Sequence, residues 1–239
     1  MTDVPVPDIP EFDDQELLDN EKALLGFYVS GHPLQRYDKL LKTYSSAKIS
    51  DITQMPSDIG VKLGGMITAF TRKLTKKDQK PFAIFQLEDL TGNLECICYN
   101  KVYEKVSTYL AEGAKVFVRA LTKKGEEENS PCALMVEDVI PLEEVYGSDT
   151  EELHIHLDAS KHDRSHLGAL RQLIRNNTGD VRLILCAHTA KGVTAFIEPS
   201  ARYAVRVSAD LLLHLEALLG ENCCKLKAKS DVPQPRPQY

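Results

Sequence analysis

No run of eighteen apolar residues occurs in this chain, and its opening, MTDVPVPDIPEFDD, is acidic and proline-rich where an export signal would be basic and then apolar. No membrane span or secretory leader is expected, and a cytoplasmic location follows. Cysteine is sparse and contains no CxxC: Cys96, Cys98, Cys132, Cys186, Cys223 and Cys224 fit neither a zinc site nor a secreted disulfide framework. They are expected to be reduced, mostly core thiols. Also missing are a glycine-rich phosphate loop ahead of a helix, a Gly-x-Ser-x-Gly elbow and carboxylates at two-metal spacing. No catalytic residue and no cofactor is therefore expected within these residues.

Acidic side chains outnumber basic ones, 35 to 29, but unevenly so. Residues 1–30 hold one basic and eight acidic side chains, whereas 61–141 hold twelve basic and eleven acidic, and 151–239 twelve and ten. The net charge of −6 thus sits in the leader and does not argue against a nucleic-acid partner. With 239 residues and 43% hydrophobic content, two small domains are expected.

What is present begins with residues 81–99, PFAIFQLEDLTGNLECICY, two apolar β-rich segments around Asp89-Leu90-Thr91-Gly92-Asn93. The Gly and Asn suit a reversing turn, so the run reads as a β-hairpin. A strand-like run lies upstream at 61–71, and a helix at 101–110 and strands at 115–122 and 132–140 lie downstream. The order β-β-β-α-β-β predicts a five-stranded oligonucleotide/oligosaccharide-binding (OB) barrel, with its helix plugging one end.

The predicted fold class is α+β and β: a helical lead-in, the OB barrel, then a small α+β domain. An acidic, proline-rich stretch at 1–14 and a helical linker at 15–60 precede the barrel at 61–141. An acidic linker at 142–150, the α+β domain at 151–229 and a disordered tail at 230–239 follow it. Leu17, Leu18, Leu24, Leu25 and Tyr28 space a helix over 14–29, opened by the Asp13/Glu16 capping pattern. Ser30-Gly31-His32-Pro33 ends it, and Leu34, Tyr37, Leu40, Leu41 and Tyr44 stripe a second helix. The α+β domain reads as strands at 153–157, 181–186, 193–197 and 203–207, helices at 163–175 and 209–219, and a turn at Gly179.

Along 61–72, alternation puts Val61, Leu63, Ile67 and Ala69 on one face and Lys62, Met66, Phe70 and Arg72 on the other. Gly64-Gly65 would supply the coil or bulge that a small barrel needs. The next loop adds Lys73, Lys76, Lys77 and Lys80, with Phe82 just after. Arg119 alternates with the apolar face of the fourth strand, and Lys123 and Lys124 open the mixed-charge loop 123–129. Single strands are held by cations that follow phosphates and by aromatic faces on which bases stack. Lys62, Phe70, Arg72, Lys73, Lys76, Lys77, Lys80, Phe82, Arg119, Lys123 and Lys124 are accordingly the candidate nucleic-acid-binding set, although solvated lysines beside core phenylalanines would give the same pattern.

His32, at a helix junction, fits a capping or packing role as well as a ligand. His162 and His166, four apart on a helix, and His154 with His156 lack a third ligand at a defined spacing. Gln86-Leu87-Glu88-Asp89-Leu90 is similar to peptides that dock on sliding clamps, yet it lies in the hairpin with Leu87 on the core side.

At residues 21–34, EKALLGFYVSGHPL, and again at 87–92, LEDLTG, the chain resembles in order and spacing the C-terminal region of bacterial DNA polymerase III alpha subunits. Gly179-Asp180, Val207-Ser208, Leu211-Leu212, Leu215 and Leu219-Gly220 extend the likeness to roughly 15–227. The resemblance implies a barrel near single-stranded template DNA, a C-terminal domain that joins the tau subunit of the clamp loader, and the remainder of the polymerase holoenzyme as a partner. It also implies that the magnesium-binding aspartates of this DNA-directed DNA polymerase, a nucleotidyltransferase, would precede residue 1, so that these residues would not polymerise DNA alone. Two other readings stay open: an RNA-binding barrel of the anticodon-reading tRNA-synthetase kind, and a protein-interaction piece without nucleic acid.

Overall fold

Alternating apolar residues close the barrel. In the computed structural model, which describes residues 14–25, 28–124, 132–189, 192–230 and 232–233, five strands form a closed sheet. They are β1 (Gly60–Leu74), β2 (Pro81–Glu88), β3 (Asn93–Tyr99), β4 (Lys115–Lys123) and β5 (Ala133–Pro141), in the order β1-β2-β3-β5-β4. Only β3 and β5 pair in parallel. Closure leaves no edge to pair with another chain. Val61, Leu63, Ile67, Ala83, Phe85, Leu87, Cys96, Val118, Ala120 and Leu134 fill the interior. Between β3 and β4 a helix was expected to plug one end of the barrel, and the helix Asn100–Val106 does so with Tyr103 and Val106.

β1 departs from simple alternation. Its pairing with β2 slips between Ile67 and Ala69, so the inward side passes to Phe70, and Ala69, expected inside, is exposed. This bulge lies beyond Gly64-Gly65. Those glycines serve close packing instead: a Cβ on Gly64 would meet Leu41 and Phe117, and one on Gly65 the Glu88 carbonyl.

The second sheet runs in the order β8-β7-β6-β9, from β6 (Thr150–Asp158), β7 (Thr178–His188), β8 (Thr194–Ile197) and β9 (Cys224–Ala228). Two helices, Arg164–Asn176 and Ala209–Leu219, bury Leu170, Ile174, Leu211 and Leu215 with Leu153, Ile155 and Leu183. Asp163 caps the first by accepting from the Ser165 and His166 N–H groups, and Ser208 caps the second through Leu211. Two expectations change here. Residues 203–207 do not form a strand; a 3-10 turn, Ala201–Tyr203, leads to Val205, which makes isolated bridges to Thr178 and Val181. Gly179 is not a turn but part of β7, where a Cβ would strike the Arg206 backbone. β9 was not expected, although Cys224, Leu226 and Ala228 alternate with Lys225 and Lys227.

The lead-in helix is described over Asp14–Leu25, and its Glu21 carboxylate accepts from the N–H groups of Val29 and Ser30 and from the Ser30 hydroxyl. The capping pattern at Asp13, residues 1–13 and most of the tail lie outside the described residues. Val232 and Pro233, expected in a free tail, are half-buried, with the Pro233 backbone where a Cβ on Gly60 would be. A 3-10 turn, Gln35–Tyr37, precedes the helix Asp38–Tyr44, and a further short helix, Ile49–Ile52, sits before the barrel. Leu34, Leu40, Leu41 and Tyr44 meet Met66, Phe117, Leu142 and Val145 in a third apolar cluster. The lead-in, the barrel wall and the segment 142–150 thus form one packed corner.

At the centre of that corner, Asp149 is 0% exposed and accepts from Lys62 Nζ at 2.9 Å and from Arg119 Nη2 at 2.6 Å. Lys62 and Arg119 are cross-strand partners on β1 and β4, so both reach the same side of the barrel. The Tyr44 ring lies 5.5 Å from Lys62 Nζ, and its hydroxyl bonds Thr150. Removing one member of a buried pair strands the other charge. Asp149→Ala is expected to cost about 3–5 kcal/mol in urea unfolding. A loss under about 1 kcal/mol, the range of exposed pairs, would contradict this placement.

Candidate nucleic-acid interface

The register of the β2–β3 hairpin decides which side chains share the barrel's outer face. Pairing runs from Glu88 opposite Asn93 back to Phe82 opposite Tyr99. With Ala83, Phe85 and Leu87 inside, Phe82, Ile84 and Gln86 stand outside beside Tyr99, Ile97 and Glu95. Asp89 fixes the turn: Oδ1 accepts from Thr91 N–H at 2.6 Å and Gly92 N–H at 3.0 Å, and Oδ2 from Ile49 N–H at 2.9 Å. The LEDLTG stretch therefore sets the register and ties the lead-in to the barrel.

Phe82 and Tyr99 stack with centroids 5.2 Å apart and planes 23° from parallel. Tyr99 is 39% exposed, and Lys73 is the cross-strand neighbour of Phe82 on β1. Ile84 and Ile97 continue the surface toward Met135 and Leu121, all half-buried. The result is an aromatic pair at the end of an apolar stripe.

The loop from β1 to β2 projects beside that pair. Its N–H of Thr75 donates to the Lys80 carbonyl at 2.9 Å, and Gln79 takes a left-handed φ of 51°. Lys73, Lys76, Lys77 and Lys80 are exposed, and none enters an ion pair found among the described residues. Lys123 and Lys124 are exposed at the end of β4, Lys124 N–H donating to Ser57 Oγ; the acidic remainder of their loop lies outside the described residues.

Four expected site residues fall elsewhere. Lys62, 2% exposed, and Arg119 are turned outward as predicted but covered by the corner and committed to Asp149. Phe70 packs against the barrel core, because the bulge reverses its side. Arg72 pairs with inward-facing Ala83, and its exposed guanidinium lies 6.0 Å from the Tyr103 ring centroid. Tyr99 was missed, yet counting outward from the turn puts it opposite Phe82.

The histidines have structural partners. His32 Nδ1 accepts from Leu34 N–H at 3.1 Å while Nε2 faces Glu88 at 3.0 Å, joining the GHPL stretch to the hairpin. His162 accepts from Asp158 N–H through Nδ1, and its Nε2 faces the Leu219 carbonyl. His154 pairs with Glu152, His166 with Asp163, and His156 with His188. Among the described residues no group of three or more His, Cys, Asp or Glu could hold a metal ion. Leu87 is buried, so Gln86 to Leu90 is not presented as a docking peptide. Burial pushes the Cys98 thiol up to about 12 and raises Cys96 as well, which keeps both protonated and unreactive.

Residues 61–142 match the tRNA anticodon family described as an OB-fold nucleic acid binding domain. The chain is 31% identical over 217 residues to the DNA polymerase III subunit alpha of Thermus aquaticus, covering 89% of this chain and 17% of that protein. It is 33% identical over 174 residues to that of Aquifex aeolicus, covering 72% of this chain and 14% of that protein. For Saccharopolyspora erythraea the identity is 28% over 221 residues, covering 89% and 18%. The chain spans less than a fifth of the length of these relatives. Among solved structures, the mitochondrial single-stranded DNA binding protein Rim1 of S. cerevisiae is 17% identical with a TM-score of 0.31, covering 35% of this chain and 95% of that one.

Proposed function

We propose, from the premise that this chain is related to the bacterial DNA polymerase III alpha subunits over 89% of its length, that its barrel binds single-stranded template DNA during replication. Its second sheet, on the same reading, docks the tau subunit of the clamp loader. The observation that carries the first part is the stacked Phe82–Tyr99 pair beside four lysines that enter no ion pair found among the described residues. Every base has a π-face, so an aromatic platform accepts bases of any sequence while the cations follow the phosphates. Half-buried Ile84, Ile97 and Met135 give further bases an apolar floor. Little base selectivity is expected.

On this reading the chain contributes template binding to a DNA-directed DNA polymerase, and nucleotidyl transfer is assigned to the remainder of the holoenzyme. That role is exercised in the cytoplasm; no helix among the described residues is long and apolar enough to cross a membrane. The anticodon-type family match supports a second reading, an RNA-reading barrel, which requires preference for a defined RNA loop over oligo(dT).

Docking is supported by β8, an edge strand whose Phe196 is 71% exposed, with Val193 and Ile197 also open to solvent. An edge strand with exposed apolar side chains is open to a partner.

Fluorescence titration with labelled oligo(dT) at two salt concentrations tests the barrel. Phe82→Ala or Tyr99→Ala is expected to weaken binding by about 1–3 kcal/mol. Lys76→Glu with Lys77→Glu should flatten the salt dependence by roughly 0.7 per lost phosphate contact. Absence of binding at low salt, or indifference to all these changes, would refute the assignment. For docking, purified tau should be retained by the parent chain and lost with Phe196→Glu; equal retention would remove β8 from the interface.

A further inference from the structure

The second sheet carries a cationic cluster that the barrel's role leaves unused. Arg171 and Arg175 lie one turn apart on the helix Arg164–Asn176, both exposed. Arg206 N–H donates to the Asn177 carbonyl at 2.8 Å, and Gly179 N–H to the Ala204 carbonyl at 3.1 Å. These bonds bring the segment carrying Arg202, Tyr203 and Arg206 to the end of the same helix. The Arg202 guanidinium lies 5.0 Å from the Tyr203 ring centroid. The charge of Arg202 holds the Tyr203 phenol below its ordinary value, and Arg171 and Arg175 add to it in the same direction.

None of these four arginines enters an ion pair found among the described residues, whereas Arg182 and Lys227 of the same domain pair with Glu152. A helix C-terminus attracts cations, and this accounts for Arg175 in the last turn. It does not account for Arg202 and Arg206, which arrive from a different segment. Like charges gathered with no ion-pair partner among the described residues raise one another's free energy, and a ligand bearing several anionic groups relieves that repulsion. Guanidinium forks match phosphate oxygens bidentately. The half-buried Tyr203 ring among them offers a face for a base, which an acidic peptide has no means of using.

We propose that Arg171, Arg175, Arg202 and Arg206 form a second nucleic-acid contact that grips the phosphodiester backbone beside Tyr203. The site is separate from the Phe82–Tyr99 platform and does not require it. Because the barrel and the second sheet are joined through Asp149, a strand long enough to leave the platform can be held at both places.

The test uses the full chain and labelled oligo(dT) of about 10 nucleotides, within the site size of one OB fold, and of about 40. A variant with Arg171, Arg175, Arg202 and Arg206 all changed to Gln should bind the short oligonucleotide like the parent and the long one more weakly. Its salt slope for the long one should fall by roughly 0.7 per lost phosphate contact, and lysine at all four positions should restore most of it. In a chain already carrying Phe82→Ala, Lys76→Glu and Lys77→Glu, the residual binding of the long oligonucleotide should disappear with the Gln changes. That arm reads the arginine patch even if the barrel binds nothing. Photocrosslinking of 4-thiothymidine DNA to the parent should label Tyr203. An unchanged slope in a Gln variant whose circular dichroism matches the parent would overturn the proposal. So would the absence of a crosslink at 201–206, or poly-glutamate competing as well as oligo(dT) of equal charge.

Discussion

The carboxylate of Asp149 is the point through which the two halves of the molecule are held. It stands just ahead of β6, fully buried, and meets Lys62 and Arg119 from adjacent barrel strands. A buried ion pair adds little net stability over an apolar packing of the same shape, and its effect here is on position. Lys62, 2% exposed, meets Asp149 at 2.9 Å, and this buried contact fixes where the second sheet sits against the barrel. Tyr44, Phe117, Leu142 and Val145 then exclude water from the pair.

This seat divides the outer wall of the barrel. Where β1 begins and along β4, outward side chains such as Lys62, Met66 and Phe117 are covered by the lead-in and the corner. Across β2 and β3 nothing among the described residues covers the wall to the same degree, and Phe82, Tyr99 and the lysines of the β1–β2 loop remain accessible. One face of the barrel is thus covered and the other stays accessible. The Asp89 turn and the His32–Glu88 contact belong to the assembly side, so the stretches 21–34 and 87–92 are tied to each other by hydrogen bonds.

Much of this was legible in the residues. The barrel followed from the 81–99 hairpin and the strand order around it, and the burial of Leu87 from its place in that hairpin. Alternation told correctly that Lys62 and Arg119 leave the barrel core, but it cannot tell what then covers them; that depends on a carboxylate 87 residues from Lys62 in sequence. Phe70 was misplaced because a single-residue bulge reverses every later side chain of β1, and nothing in the local pattern marks Thr68 as its site. Tyr99 was readable from the turn. The arginine cluster was not, since it depends on two segments about thirty residues apart being joined by backbone bonds at Asn177 and Gly179.

On the proposed function, DNA meets the β2–β3 wall and avoids the Asp149 corner. Amide chemical-shift mapping of the full chain with short oligo(dT) tests it most directly. Perturbations are predicted at Lys73, Lys76, Lys77, Phe82, Ile97 and Tyr99, with Lys62, Arg119 and Asp149 unmoved. Shifts concentrated at Lys62 and Arg119, with the Phe82–Tyr99 pair silent, would contradict it.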